Sequence, residues 1–191
     1  MSGRSLIAAT TAAMAFLSVL GLTTAASASE GSTVTYSVGM RIGGFDPEVA
    51  KANGYEIRTD EQGRQYSVKL GEVGTQSQNG GRLYGDCGNS WVRVNGIGRR
   101  VARLETSWDV ILPVVAFEWH ITVIDTAGVS SQDWGPRPGP GSTHWQDSRD
   151  LPGMAVGTVD AQVTPTASKV QMNNGAWCYS GGPRDSGWIS A

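Results

Sequence analysis

The chain holds two histidines, His120 and His144. Glu118, His120 and Thr122 alternate along one stretch, so in an extended strand they share a face with about 6.6–7 Å between successive side chains. Arg103 and Glu105 lie in a second alternating stretch. Opposite Glu118 and His120 they would complete the acid, base and cation that a small hydrolase needs. The plainer reading of the same pattern is the solvated face of a half-exposed sheet. A second group is Trp134, His144 and Trp145, which flank a Pro/Gly loop with Asp133, Asp147 and Asp150 nearby. Aromatic rings bordered by polar groups stack on sugars or anchor a protein partner, or they cap a core beneath the loop.

Other chemistry is excluded by spacing. Ser180-Gly181-Gly182-Pro183 is similar to the nucleophile region of trypsin-like serine proteases, but Cys178 and Tyr179 stand where an Asp and a Gly would be needed. A glycine-rich turn explains these residues. There is no G-x-S-x-G elbow, and no HExxH, zinc spacing or EF-hand loop, so neither a metal nor another cofactor is expected.

The balance of 15 Lys and Arg against 17 Asp and Glu gives a net charge of −2. That is no footprint for nucleic acid. At the N-terminus, Arg4, the apolar run Ala12–Leu22 and Ala26-Ser27-Ala28 read as a secretory signal cut before Ser29. The apolar run is too short for the ~20 residues of a membrane span. Residues 29–191 are then one exported domain. Export places Cys87 and Cys178 where disulfides persist, and the absence of a CxxC or a neighbouring His favours a structural bond between them.

Those groups need a scaffold, and the composition points to sheets. The stretch from Ser29 onward carries 17 Val and 7 Ile against 5 Leu, a β-branched bias that suits pleated surfaces. Tyr55–Leu70 reads as a hairpin around Asp60-Glu61-Gln62-Gly63, with Thr59–Arg64, Ile57–Tyr66 and Tyr55–Val68 paired so that its apolar side chains share a face. Before it, Asp46 as N-cap, Pro47 at the first position and Asn53-Gly54 at the end bound a short helix near 47–53.

Ala102, Leu104, Thr106, Trp108 and Val110 form one inward stripe, and Val115, Phe117, Trp119, Ile121 and Val123 another. Adjacent strands would set Trp108 against Val115 and Leu104 against Trp119; an arch crossing between two sheets is the alternative. Further strands are expected at Thr35–Ile42, Ser90–Asn95, Val156–Val163, Ser168–Met172 and Ala176–Tyr179, with surface loops at Gln76–Gly81 and Trp134–Gly141. The fold expected is an antiparallel β-sandwich or barrel-like domain.

Gly44-Phe45-Asp46-Pro47-Glu48-Val49-Ala50, Asn53-Gly54-Tyr55-Glu56-Ile57, Gly85-Asp86-Cys87-Gly88-Asn89-Ser90 and Trp177-Cys178-Tyr179-Ser180-Gly181-Gly182-Pro183 resemble a set of small secreted proteins of high-GC Gram-positive bacteria. The resemblance implies secretion and a shared cysteine pair, and supplies no catalytic residues. The function expected is non-catalytic, through the surface, on a polysaccharide, an extracellular protein or the cell envelope. The alternatives are a small extracellular hydrolase built on Glu118, His120 and Arg103, and a purely structural envelope protein.

Overall fold

A computed structural model describes residues 37–71, 86–135 and 141–191. The expected signal segment, the loop at Gln76–Gly81 and most of the Pro/Gly loop lie outside the described residues. In chain order the elements are β1 (Val38–Phe45), α1 (Pro47–Ala52), β2 (Tyr55–Thr59), β3 (Gln65–Lys69), β4 (Asp86–Gly96) and β5 (Val101–Val110). There follow β6 (Val114–Asp125), β7 (Gly128–Trp134), β8 (His144–Pro152), β9 (Gly157–Val163), β10 (Lys169–Met172), β11 (Ala176–Tyr179) and β12 (Arg184–Ile189).

The fold is mainly β. One antiparallel sheet of 10 strands runs β12-β9-β6-β10-β11-β1-β4-β5-β8, with β7 also paired to β6, and β2-β3 form a separate hairpin. The sheet is not closed into a barrel. It turns a corner at β1, whose ladders slip between Met40 and Arg41 on the β4 side and between Ile42 and Gly44 on the β11 side. In a flat sheet the strands flanking β1 would lie ~9.6 Å apart. Here Cys87 on β4 and Cys178 on β11 approach to a Cα–Cα distance of 6.0 Å and form the expected disulfide. Slips of this kind sharpen local bending, and the bond staples that bend.

Folding the sheet over sets two inner faces against each other. Leu104, Thr106 and Trp108 of β5 and Trp119, Ile121 and Val123 of β6 are all buried. The two stripes are not neighbouring strands: β5 pairs with β4 and β8, while β6 pairs with β7, β9 and β10. They meet across the core, as in the arch crossing. Trp108 sits edge-on to Phe117 at 5.6 Å, and Trp119 Nε1 donates to Thr106 Oγ1 at 3.0 Å. Val115 departs from the expected stripe. A register slip opposite Gln171 and Met172 turns Val114 inward and leaves Val115 39% exposed.

Along β6 the partner strand is itself interrupted. β10 pairs with its first half and β9 with its second. Between them Ser168 Oγ accepts from the His120 N–H and donates to its carbonyl, which also accepts from the Thr164 N–H.

The helix begins and ends where its caps place it. Asp46 accepts from the N–H groups of Glu48 and Val49, and Gly54 follows with φ of 80°. Its buried Ala50 rests on Gly175, where an added Cβ would lie 2.3 Å from the Asp46 carbonyl oxygen. The hairpin register differs from expectation by one residue: Ile57 opposes Ser67, and Arg58 opposes Tyr66. Turn chemistry prevails over the hydrophobic pattern. Asp60 Oδ1 accepts from the N–H groups of Gln62 and Arg64, drawing Arg64 into a five-residue loop. Tyr66 and Val68 then share a face with Arg58 and Glu56, not with Ile57.

Candidate functional site

The ends of the sheet are treated differently. Beside β12, Asp185 accepts from the Val94 N–H of β4 at 2.8 Å, and Arg100 N–H donates to the Ser190 carbonyl at 3.1 Å. Glycines permit this close approach, since a Cβ on Gly187 would lie 2.5 Å from the Val94 carbonyl oxygen. The far edges of β7 and β8, in contrast, have no ladder partner among the described residues. In an antiparallel strand every second residue turns both its N–H and C=O to the same side.

The two free edges face each other. Arg149 of β8 donates through Nη1 to Gln132 Oε1 at 3.0 Å and through Nη2 to the Asp133 carbonyl at 3.3 Å, both on β7. Its guanidinium also stacks over Trp134, 4.4 Å from the ring centroid. The Asp133 carbonyl therefore points into the seam. By alternation, so do the backbone groups of Val129 and Ser131. The span takes a whole arginine side chain, more than a ladder hydrogen bond covers.

Alongside this strap lies a groove of about 570 Å³. Val123, Leu151 and Met154 line it with buried apolar surface, Ser130, Gln132 and Arg149 add polar groups, and Val129 stands 71% exposed among the lining residues. Two carboxylates also line it. Asp125 accepts from the backbone N–H groups of Ala155, Ala127 and Gly128. The Ala155 bond is the main cause holding its carboxyl below the usual aspartate range, with Ala127, Gly128 and the nearby charge of Arg100 adding to it against partial desolvation. Asp150 is held low chiefly by hydrogen bonds from Arg103, at 2.8 and 2.9 Å.

The polar residues singled out from the sequence do not converge. Arg103 pairs with Asp150, and Glu105 lies 3.8 Å from Arg93. Both are on the outer side of β5. Glu118 pairs with Lys169, and His120 Nδ1 lies 2.7 Å from Asp133 Oδ1. Both are on the outer side of β6, with the core between the two sets. His144 meets Asp109 across β5 and β8 at 2.6 Å. Trp134 and Trp145 do come together, 6.2 Å apart, but both are partly buried: Trp145 packs on Trp108, Phe117 and Trp119, and Trp134 packs on Trp145 and under the Arg149 guanidinium. Ser180 is buried and shares a hydrogen bond with Ser90, a structural role.

Gln132, Arg149 and Leu151 were not among the residues singled out. The available signal was Asp125-Thr126-Ala127-Gly128, a turn of hairpin length directly after a strong strand. Among the described residues no group of three or more His, Cys, Asp or Glu is placed to hold a metal ion. Nor is any helix there long and apolar enough to cross a membrane. Compared with protein-family models and with curated proteins, the chain matches none.

Proposed function

We propose that this is an exported, non-catalytic binding domain that holds an extended segment of an extracellular protein partner in the seam between β7 and β8. The carrying observation is the groove of about 570 Å³ between two strand edges that lack ladder partners among the described residues. An extended peptide supplies the backbone donors and acceptors such edges need, and side-chain pockets add selectivity. The buried Val123, Leu151 and Met154 offer an apolar floor, and the volume falls in the range of ligand sites.

Export is supported by the disulfide, which persists in oxidising compartments, and by the signal-like N-terminus. A polysaccharide partner is less well supported, because Trp134 and Trp145 turn their rings into an aromatic cluster. The hydrolase reading loses the joint polar face it required.

The test is selection of a random dodecapeptide library on the purified protein, followed by amide hydrogen exchange with the selected peptides. Slowed exchange confined to 128–134 and 144–152 is the expected result. Slowed exchange only on the outer faces of β5 or β6, or failure to select any peptide, overturns the reading.

A further inference from the structure

The seam differs from a merely blunted edge in its charges. Edge strands are commonly protected by charged side chains, and β8 has several. Their commitments are unequal. Asp150 is paired with Arg103 through two hydrogen bonds, and Asp125, still ionised, has its oxygens taken up by three backbone N–H groups. Arg149 is the only cation lining the groove among the described residues, and its acceptors are neutral: an amide oxygen and a main-chain carbonyl. Asp147, two residues back on the same face, does not line the groove and accepts from the Ser148 N–H.

A guanidinium offers five N–H donors in a plane suited to a carboxylate. The wall therefore presents one positive charge not committed to an ion pair, with its carboxylates already occupied.

We infer that the seam selects an acidic extended peptide, and that Arg149 is the residue that reads its carboxylate. This rests on the seam being the binding site. On binding, the guanidinium exchanges its neutral acceptors on β7 for a carboxylate of the incoming strand, and the backbone groups of Val129, Ser131 and Asp133 released to the seam pair with that strand. A carboxylate adds coulombic attraction and a two-pronged fit that the neutral oxygens of Gln132 and Asp133 do not offer the guanidinium, so the exchange favours the ligand. Residues beside the strap set how deeply it reaches: Val129 offers an apolar contact at the rim, and Gln132, relieved of Arg149, regains a free amide.

The experiment uses three synthetic peptides with one alternating Thr-Val sequence, flanked by glutamates, by lysines or by neither. Binding to the purified protein is read by titration and by amide exchange of β7 and β8. The acidic peptide should bind roughly tenfold more tightly than the neutral one at low salt, the size of one well-placed charged pair. The lysine peptide should bind more weakly than either. The preference should shrink as salt rises. Arg149→Gln should remove the acidic preference, and Arg149→Lys, which keeps the charge, should retain part of it. Unchanged thermal melting of both variants would show that neither effect comes from misfolding.

An acidic peptide that binds no better than the neutral one, or a preference that survives Arg149→Gln, overturns the role of Arg149 while leaving the seam as a peptide site. If none of the three slows exchange in β7 and β8, the seam reading fails and this one with it. Concentration-dependent slowing of the same amides without peptide would assign the seam to a second copy of the chain, and would also overturn the proposal.

Discussion

The corner at β1 and the seam between β7 and β8 are both places where the sheet stops being regular, and they are handled in opposite ways. At the corner the chain slips register twice and then fixes the bend covalently through two fully buried cysteines. At the seam no strand among the described residues joins the two edges, and one exposed arginine with neutral acceptors spans them. The covalent bond and the burial at the corner contribute to stability. Openness at the seam costs little, because its charged and polar side chains remain in water. The difference separates the part of the molecule that holds it together from the part able to receive something else.

The largest expected effect is at the corner. Replacing Cys87 and Cys178 together by Ala should lower stability by about 2–5 kcal/mol, the usual range for removing a bond that closes a long loop. Denaturant unfolding of the oxidised protein measures it, and a loss no larger than that from altering the seam would erase the contrast. Next comes the core that the corner allows to form. Thr106→Val removes the acceptor of the buried Trp119 Nε1 and should cost about 1–3 kcal/mol, the penalty for an unpaired buried donor. The Trp119 indole signal in NMR would report the lost bond.

Acid should separate the regions without mutation. The carboxyl of Asp46 is held low chiefly by the Val49 N–H, and that of Asp125 chiefly by the Ala155 N–H. Their stabilising contributions are complete above the ordinary aspartate value near 3.9 and are lost as pH falls through their lower folded values. Exchange at 125–128 and at the helix start should therefore accelerate only below about pH 4, with Cys87 and its neighbours still protected. Asp125→Asn should bring that loosening of 125–128 to neutral pH. The smallest effect is on stability at the seam itself. Arg149→Ala should change unfolding free energy by less than about 1 kcal/mol, as for most exposed polar contacts, and a larger loss would make the strap part of the scaffold.

The same contrast explains what was legible in the sequence. The inward stripes on β5 and β6, the caps of α1 and the cysteine pair are written in apolar alternation or in residue types with a single good use. Ala176–Tyr179 was located to the residue. The strands β7, β8 and β12 were not foreseen. Gly128–Trp134 and His144–Pro152 have no apolar alternation, since an edge strand beside an open groove can carry Ser130, Gln132 and Arg149 on its inner side. In β12 the inward positions are Asp185, Gly187 and Ile189, so only Ile189 carries an apolar side chain and no alternating stripe results. The partner of each stripe was also hidden. Alternation fixes which side chains face inward, but adjacent strands and strands opposed across a core leave the same pattern.

The pairing of Ile42 in β1 opposite Cys178 in β11 joins positions separated by 178 − 42 = 136 residues. The first strand finds β4 early, but its other neighbour is missing until almost the whole polypeptide is available, so a ribosome-bound chain lacking its last strands has no completed interior. Pairings this distant in sequence place folding in the slow regime, about milliseconds to seconds. Nascent chains truncated before Ala176 should accordingly remain protease-sensitive, with maturation beginning only after release.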